Sequence, residues 1–169
     1  MELTKVREMR APAETEREIP RRICFVCTGN TCRSPMAEAV ANAYAAECKT
    51  RDLRAFSAGL SAYEGDPISK GALVALSEKE IKPIHGRDYR RHTAHRLTEE
   101  ETGDYDLIVG MTDAHVMQLF MCFPEAAERI VRMPVPIPDP FGGGYEEYGA
   151  CLDEIIKGVR DLLFTGEEI

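Results

Sequence analysis

The 169-residue chain is long enough for one domain with a sizeable core, and its 44% hydrophobic content is ordinary for a soluble globular protein. A net charge of −8 and an isoelectric point near 5.1 argue against nucleic acid as a partner. No apolar run approaches the length that spans a membrane. Six cysteines, without a recognisable secretion signal, indicate the reducing cytoplasm rather than a disulfide scaffold.

The first 21 residues differ in composition from the rest of the chain. Charged residues alternate there with Ala11-Pro12-Ala13, and Pro20 closes the stretch. We predict a polar, flexible N-terminal extension over 1–21, although a frayed helix or a segment that docks onto a partner would have the same composition. The remaining residues, 22–169, form a single predicted domain.

The domain begins with a strand, a tight loop and a helix. The segment Ile23–Val26 is apolar, β-branched and aromatic, which predicts a buried strand. After the loop, Ser34 is predicted to be the N-cap of a helix whose first residue is Pro35. Serine is a favoured N-cap, and proline lacks the N–H that would be unpaired at the first helical position. Apolar residues then recur at helical spacing to about Cys48.

Strands and helices alternate along the rest of the chain. The predicted strands cover 53–57, 106–111 and 129–133. The predicted helices cover 67–80, a short acidic segment capped by Thr98, a stretch from Thr112 or Asp113 to Phe123, and 145–164. This alternation predicts an α/β protein with an open four-stranded parallel sheet and helices on both faces. Ligands of such sheets bind outside the carboxyl ends of the strands.

The loop after the first strand has the features of an oxyanion site. Its sequence runs Cys27-Thr28-Gly29-Asn30-Thr31-Cys32-Arg33-Ser34-Pro35. The N–H groups of residues 28–33 can converge on a phosphate, the following helix adds partial positive charge, and Arg33 adds a planar fork of donors. The same field stabilises a thiolate on Cys27, to which the Ser34 hydroxyl can donate. The loop is predicted to bind a phosphoryl group and direct a nucleophile at it; the alternative is a structural cysteine in an ordinary turn.

A second candidate catalytic residue lies in the Pro- and Gly-rich loop 134–144. Asp139 precedes Pro140 there, at the same predicted edge of the sheet as Cys27. A carboxyl group on such a loop can protonate a leaving group and later deprotonate water, so one residue can serve both steps of a phosphoryl transfer. The alternative is that Asp139 only begins an Asp-Pro turn.

Four segments together resemble the low-molecular-weight protein tyrosine phosphatase family. They are Val26–Glu38, Ser57-Ala58-Gly59, Asp106–Met111 and Asp139-Pro140, and the likeness covers about 22–165. The resemblance implies a Rossmann-like fold and a two-step mechanism without metal or cofactor. In that mechanism Cys27 becomes a phosphocysteine, Arg33 and the loop amides hold the phosphoryl oxygens, and Asp139 is first general acid and then general base.

The resemblance also implies roles for the residues around this centre. Those implied to contact the substrate are Thr28, Gly29, Asn30, Thr31, Cys32, Ser34 and Phe141. Those implied to shape the loop and support the thiolate are Asn30, Ser34, Ser57 and His92. An ordinary surface histidine fits the segment of His92 equally well. The other histidines, His85, His95 and His115, are given no role.

Two positions distinguish branches of the family. Tyrosine phosphatases usually have Ile or Val where Thr31 stands, and Tyr or Trp after the Asp-Pro pair. Thr31 together with Asp-Pro-Phe-Gly-Gly resembles the protein-arginine phosphatase branch. A hydroxyl at residue 31 can bond a guanidino group, and Phe141 can stack on its plane. We expect phosphorylated proteins as substrates, with phosphoarginine favoured over phosphotyrosine; the oligomeric state stays open.

Other classes of protein fit the sequence less well. Arsenate reductase shares the fold but needs two further cysteines on one downstream segment, and none occurs between Cys48 and Cys122. A metal site formed by Cys24, Cys27 and Cys32 is disfavoured because residues 24 and 27 of a strand face opposite sides. A non-catalytic phosphate-binding domain would be expected to have lost one of the three catalytic residues.

Cys32 is five residues after Cys27 in a loop that curls around one anion, so the two sulfur atoms are expected to face the same small space. A stabilised thiolate is readily oxidised by peroxide, and Cys32 can trap the resulting sulfenic acid as a disulfide. We therefore predict reversible redox control. The alternative is that Cys32 packs as a small apolar side chain.

Overall fold

In the computed structural model, which describes residues 20–48 and 52–166, four parallel strands form one open sheet. The strands are β1 (Arg22–Cys27), β2 (Arg54–Gly59), β3 (Leu107–Gly110) and β4 (Ile130–Arg132), and their spatial order is β2-β1-β3-β4. All four strands agree with the predicted ones to within two residues at either end. The predicted four-stranded parallel sheet is confirmed.

The predicted helices are also present. They are α1 (Arg33–Glu47), α2 (Lys70–Glu78), α3 (Glu99–Thr102), α4 (Asp113–Cys122) and α5 (Tyr145–Leu163). Thr98 caps α3 through a reciprocal capping box with Glu101, and Thr112 rather than Asp113 caps α4. Two short 3-10 turns, Tyr89–Arg91 and Pro124–Arg129, were not predicted.

The second helix begins later than its predicted start at Pro67. Ser69 is its N-cap, and the Ser69 hydroxyl accepts a hydrogen bond from the Ala72 N–H. Pro67 instead lies in extended chain that forms an isolated antiparallel bridge with Thr93. The helix predicted in this region is therefore present, but Pro67 does not lie in its first turn.

Helices cover both faces of the sheet, and β1 lies between β2 and β3. On one face Ile23 and Phe25 pack with residues of α1, α2 and α5. On the other face Cys24 and Val26 pack with Leu119 of α4. All residues of β1 after Arg22 are buried, which is expected of a central parallel strand and explains its unbroken apolar sequence.

None of the helices among the described residues is long and apolar enough to cross a membrane. The predicted flexible extension over 1–21 falls almost entirely on 1–19, outside the described residues, and stays a prediction.

Candidate active site

The carboxyl end of β1 holds the predicted nucleophile at the centre of the sheet edge. Cys27 is the last residue of β1 and is 3% exposed, and residues 28–32 lead directly into α1. The helix begins at Arg33, with Cys32 as N-cap, so the prediction that Ser34 caps it is wrong. The Ser34 hydroxyl is instead directed at the Cys27 sulfur. Pro35 is tolerated as the third helical residue because N–H groups of a first turn have no intrahelical acceptor.

Asn30 fixes the shape of the loop. It adopts a left-handed conformation with φ of 56°, which asparagine tolerates better than most residues. Its buried amide nitrogen donates to Ser34 Oγ at 2.9 Å and to Ser57 Oγ at 3.0 Å. Its amide oxygen accepts from the His95 N–H at 2.8 Å. The amide is therefore bonded at both ends, and it connects the loop to β2 and to the segment before α3.

Ser34 lies within hydrogen-bond distance of the nucleophile. Its Oγ lies 2.9 Å from Cys27 Sγ and already accepts a hydrogen bond from Asn30. The hydroxyl hydrogen is therefore available to the sulfur, and the other acceptor within reach, the Ala58 carbonyl, is farther away at 3.4 Å. A thiolate on Cys27 gains a hydrogen bond from this arrangement.

The end of β2 supports the loop through its backbone. A Cβ placed on Gly59 would lie 2.6 Å from the Thr28 carbonyl oxygen, so only glycine allows this approach. The N–H groups of Leu60 and Ser61 donate to the carbonyls of Cys27 and Thr28, both at 3.0 Å. These contacts explain why a Ser-Ala-Gly sequence at the end of β2 accompanies the cysteine loop.

His92 lies under the loop rather than on the surface. Its side chain is 9% exposed, and Nε2 is 2.8 Å from the Asn30 carbonyl oxygen. A carbonyl only accepts, so Nε2 carries the hydrogen, and Nδ1 faces Glu38 Oε2 at 3.8 Å. Burial lowers the pKa of His92, while the bond to Asn30 acts in the opposite direction. The surface interpretation of His92 is therefore wrong.

Glu38, for which the sequence suggested no role, completes this supporting network. Its carboxylate accepts a hydrogen bond from the Ser57 hydroxyl. Burial raises the pKa of Glu38 to about 7, against the opposing effects of the Ser57 bond and of Arg54. Hydrogen bonds thus run from Glu38 through Ser57, Asn30 and Ser34 to the Cys27 sulfur.

Arg33 and Asp139 meet at the mouth of the loop. Arg33 is buried; its Nη1 donates to the Ile137 carbonyl at 3.1 Å, and its Nη2 lies 3.6 Å from Asp139 Oδ2. The other oxygen of Asp139 accepts from the Phe141 N–H at 3.0 Å, which is an Asx turn. One oxygen of Asp139 therefore makes the expected turn and the other faces Arg33, and its role as general acid stays a prediction. The Phe141 ring is 80% exposed.

Cys32 has two polar neighbours that the sequence did not indicate. Its sulfur donates to Ser69 Oγ at 3.3 Å and lies 3.4 Å from the Tyr148 hydroxyl. Burial and the contact with Cys32 raise the pKa of Tyr148 to about 12. The Ser69 N–H also donates to the Thr31 carbonyl at 2.9 Å. The loop is thus held by the N-terminus of α2 and by α5.

The remaining histidines differ from one another. His85 is an exposed residue, and His95 pairs through its ring with Glu64 and Glu101. His115 is buried and contacts Thr28 of the loop. The structure therefore brings together all the predicted site residues around one loop, with Phe141 at its rim, and adds Glu38, Tyr148 and His115.

An α/β sheet whose central strand ends in a cysteine, followed by a loop that carries a buried arginine, is the arrangement expected of a cysteine-dependent phosphatase. The chain matches the family model for low molecular weight phosphotyrosine protein phosphatase over residues 22–169, and it belongs to that family. Cysteine-based dephosphorylation of proteins is general to the family.

The proteins to which this chain is similar are named for two different activities. The chain is 35% identical to a protein-arginine-phosphatase of Geobacillus stearothermophilus, over 81% of this chain and 90% of that one. It is 31% identical to the low molecular weight protein-tyrosine-phosphatase PtpB of Staphylococcus haemolyticus, over 83% and 96%. Among solved structures, a YwlE mutant from Bacillus subtilis aligns with a TM-score of 0.77 at 32% identity, covering 86% of this chain and 97% of that one.

Proposed function

We propose that this chain is a protein-arginine phosphatase that removes phosphate from phosphoarginine in proteins through a phosphocysteine at Cys27. The observation that carries the phosphatase part of the proposal is the loop itself. It combines a buried thiol bonded to Ser34, a buried arginine, and an aspartate that faces that arginine at 3.6 Å. A thiolate, an oxyanion cradle and a carboxyl group are the three parts that a two-step phosphoryl transfer needs.

In the first step the sulfur of Cys27 attacks the phosphorus in line with the bond to the leaving nitrogen. The N–H groups of 28–33 and the Arg33 guanidinium hold the three non-bridging oxygens, on which the transferred charge is spread. The P–N bond breaks as the S–P bond forms. Asp139 in its carboxylic acid form gives its proton to the departing guanidino nitrogen.

In the second step water releases the phosphate. The Asp139 carboxylate removes a proton from a water molecule, whose oxygen attacks phosphorus as the S–P bond breaks. The sulfur leaves as a thiolate, and the hydrogen bond from Ser34 stabilises that product. Inorganic phosphate is released, and Asp139 is again protonated for the next turnover.

Thr31 supports the choice of phosphoarginine. Its side chain is half-buried in the loop, and the contact that its hydroxyl makes among the described residues is a long one, 3.7 Å to Cys32 Sγ. A hydroxyl in this position can accept from a guanidino N–H, whereas a branched aliphatic side chain would pack against a phenyl ring. Asp139 can accept from the same guanidinium, and the exposed Phe141 ring can stack on its plane.

The alternative is a protein tyrosine phosphatase of the same family. It is favoured by the similarity to PtpB at 31% identity, only slightly below the identity to the arginine phosphatase. Both activities use the same loop and the same carboxyl group. They differ in the group that would lie next to Thr31, which is a guanidino group in one case and a phenyl ring in the other. A substitution at Thr31 therefore distinguishes the two activities.

Thr31→Ile should shift the preference from phosphoarginine toward phosphotyrosine. The change removes a hydroxyl that bonds a charged group, which is expected to lower kcat/KM for a phosphoarginine peptide roughly tenfold. The new apolar wall should raise kcat/KM for the matching phosphotyrosine peptide. Thr31→Ser keeps the hydroxyl and should keep the preference. An unchanged ratio of the two constants in Thr31→Ile would show that residue 31 does not select the substrate.

Redox control is proposed for the same loop. Peroxide converts the Cys27 thiolate to a sulfenic acid; the Cys32 sulfur then attacks it, the S–S bond forms, and water leaves. We expect peroxide to inactivate the wild type reversibly, with activity restored by a thiol reductant. In Cys32→Ser the loss should become irreversible, whereas Cys122→Ser, which changes an exposed thiol, should recover like the wild type. Equal recovery in Cys32→Ser would show that Cys32 does not protect the nucleophile.

A further inference from the structure

His115 connects the turn between β3 and α4 to the cysteine loop. It is 5% exposed, and both of its ring nitrogens have hydroxyl partners. Nε2 lies 2.9 Å from Thr28 Oγ1, and Nδ1 lies 2.9 Å from Thr112 Oγ1. Thr28 is the first residue after Cys27 and is itself exposed. A buried imidazole with both nitrogens engaged therefore holds the hydroxyl of an exposed residue that adjoins the nucleophile in sequence.

The bonds of Thr112 favour one of the two neutral forms of the His115 ring. Thr112 Oγ1 caps α4 and accepts from the His115 backbone N–H at 3.3 Å. Its own hydrogen then has an acceptor 2.9 Å away in Nδ1. With Nδ1 as acceptor, a neutral imidazole carries its hydrogen on Nε2 and donates to Thr28 Oγ1. The Thr28 hydroxyl hydrogen is then left for another acceptor.

The surroundings of His115 keep its ring neutral. Burial and the positive charge of Arg33 lower the pKa of His115 to about 4, and Asp139 acts in the opposite direction. The ring is therefore uncharged at neutral pH. Thr28 belongs to the loop whose N–H groups are proposed to hold the phosphoryl group, so its hydroxyl can add one more donor there.

We propose that His115 is a positioning residue that keeps the Thr28 hydroxyl available as a hydrogen-bond donor to the bound phosphoryl group. The Nε2–H of His115 donates to the oxygen of the Thr28 hydroxyl. The hydrogen of that hydroxyl is then not given to the ring and can point away from the protein. The inference rests on the proposed function, because it assigns one more donor to the loop that binds the phosphoryl group.

A matched pair of substitutions tests this role. Glutamine places an amide donor near the position of Nε2, whereas asparagine reaches only the position of Nδ1. His115→Asn should therefore lower kcat/KM for para-nitrophenyl phosphate roughly tenfold, and His115→Gln should recover most of it. Thr28→Val should cost as much as His115→Asn, and the double variant should cost no more than either. His85→Gln, the same change at an exposed histidine, should match the wild type.

The inhibition constant of inorganic phosphate separates positioning from a general structural role. Phosphate occupies the same loop, so it should bind roughly tenfold more weakly to His115→Asn and to Thr28→Val. Losses that add in the double variant, or unchanged phosphate binding in His115→Asn, would overturn the proposal. An inactive wild-type enzyme would instead overturn the proposed function.

A measurement on the wild type keeps the proposal testable if His115→Asn does not fold. Long-range ¹H–¹⁵N NMR spectra distinguish the two neutral forms of a histidine ring. We expect the hydrogen of His115 on Nε2 in the phosphate-bound protein. A hydrogen on Nδ1 would mean that Thr28 donates to the ring and is withdrawn from the substrate, which would overturn the proposal whatever the enzyme hydrolyses.

Discussion

Cys27→Ser should abolish turnover of para-nitrophenyl phosphate while leaving the binding of inorganic phosphate intact. A serine hydroxyl in this loop is not deprotonated, so it cannot form the bond to phosphorus that the thiolate forms. The phosphate-binding groups are unaffected, because the N–H groups of 28–33 and Arg33 do not depend on the sulfur. Steady-state kinetics measure the first effect, and titration calorimetry with phosphate measures the second.

A matched variant and a trapping experiment sharpen this prediction. Cys122→Ser, which replaces an exposed thiol of α4, should keep full activity. Rapid quenching of the wild type followed by peptide mass spectrometry should find the phosphoryl group on Cys27. Residual activity in Cys27→Ser, or activity that depends on an added divalent metal, would show that the phosphocysteine mechanism is wrong.

Asp139→Ala should slow hydrolysis by roughly 10²–10⁴-fold, which is the usual scale for the loss of a general acid. The carboxyl group faces Arg33 and is half exposed, so it is accessible to a substrate entering the loop. Asp139→Asn keeps the shape of the side chain without its acidic proton, and should lose nearly as much. The measurement is kcat/KM for a series of aryl phosphates.

The leaving group provides the control for this second prediction. Phosphates of acidic phenols need little protonation as they depart, so the loss of kcat/KM in Asp139→Ala should shrink along the series as the phenol becomes more acidic. A uniform loss for every phenol would mean that Asp139 contributes to binding or to the shape of the 134–144 loop rather than to proton transfer. In that case another residue must protonate the leaving group.

The sheet was predictable because its strands are short and mostly apolar, and the two central strands, β1 and β3, are largely buried. The errors occurred at helix N-termini. Ser34-Pro35 and Pro67 both look like helix starts, yet Cys32 and Ser69 are the caps. At Ser34 the preference of serine for the N-cap position was overridden, because its hydroxyl contacts the Cys27 sulfur. Capping statistics do not include such a contact.

The candidate site could be predicted from the sequence because one loop contributes most of its residues. Cys27 and Arg33 lie six positions apart, and the Asp-Pro pair is distinctive even at a distance. The residues that support the loop were harder to find. His115 is 87 positions from Thr28, and Tyr148 is 116 positions from Cys32. Only the fold brings these pairs together, and nothing local marks the tyrosine or the histidine as different from a core residue.

The substrate of the wild-type enzyme tests the central claim most directly. Two peptides should be compared that are identical except for one central residue, which is phosphoarginine in the first and phosphotyrosine in the second. We predict a higher kcat/KM for the phosphoarginine peptide, because Thr31 and Asp139 can both bond the guanidino group. Much faster hydrolysis of the phosphotyrosine peptide would contradict the assignment and make the chain a protein tyrosine phosphatase of the same family.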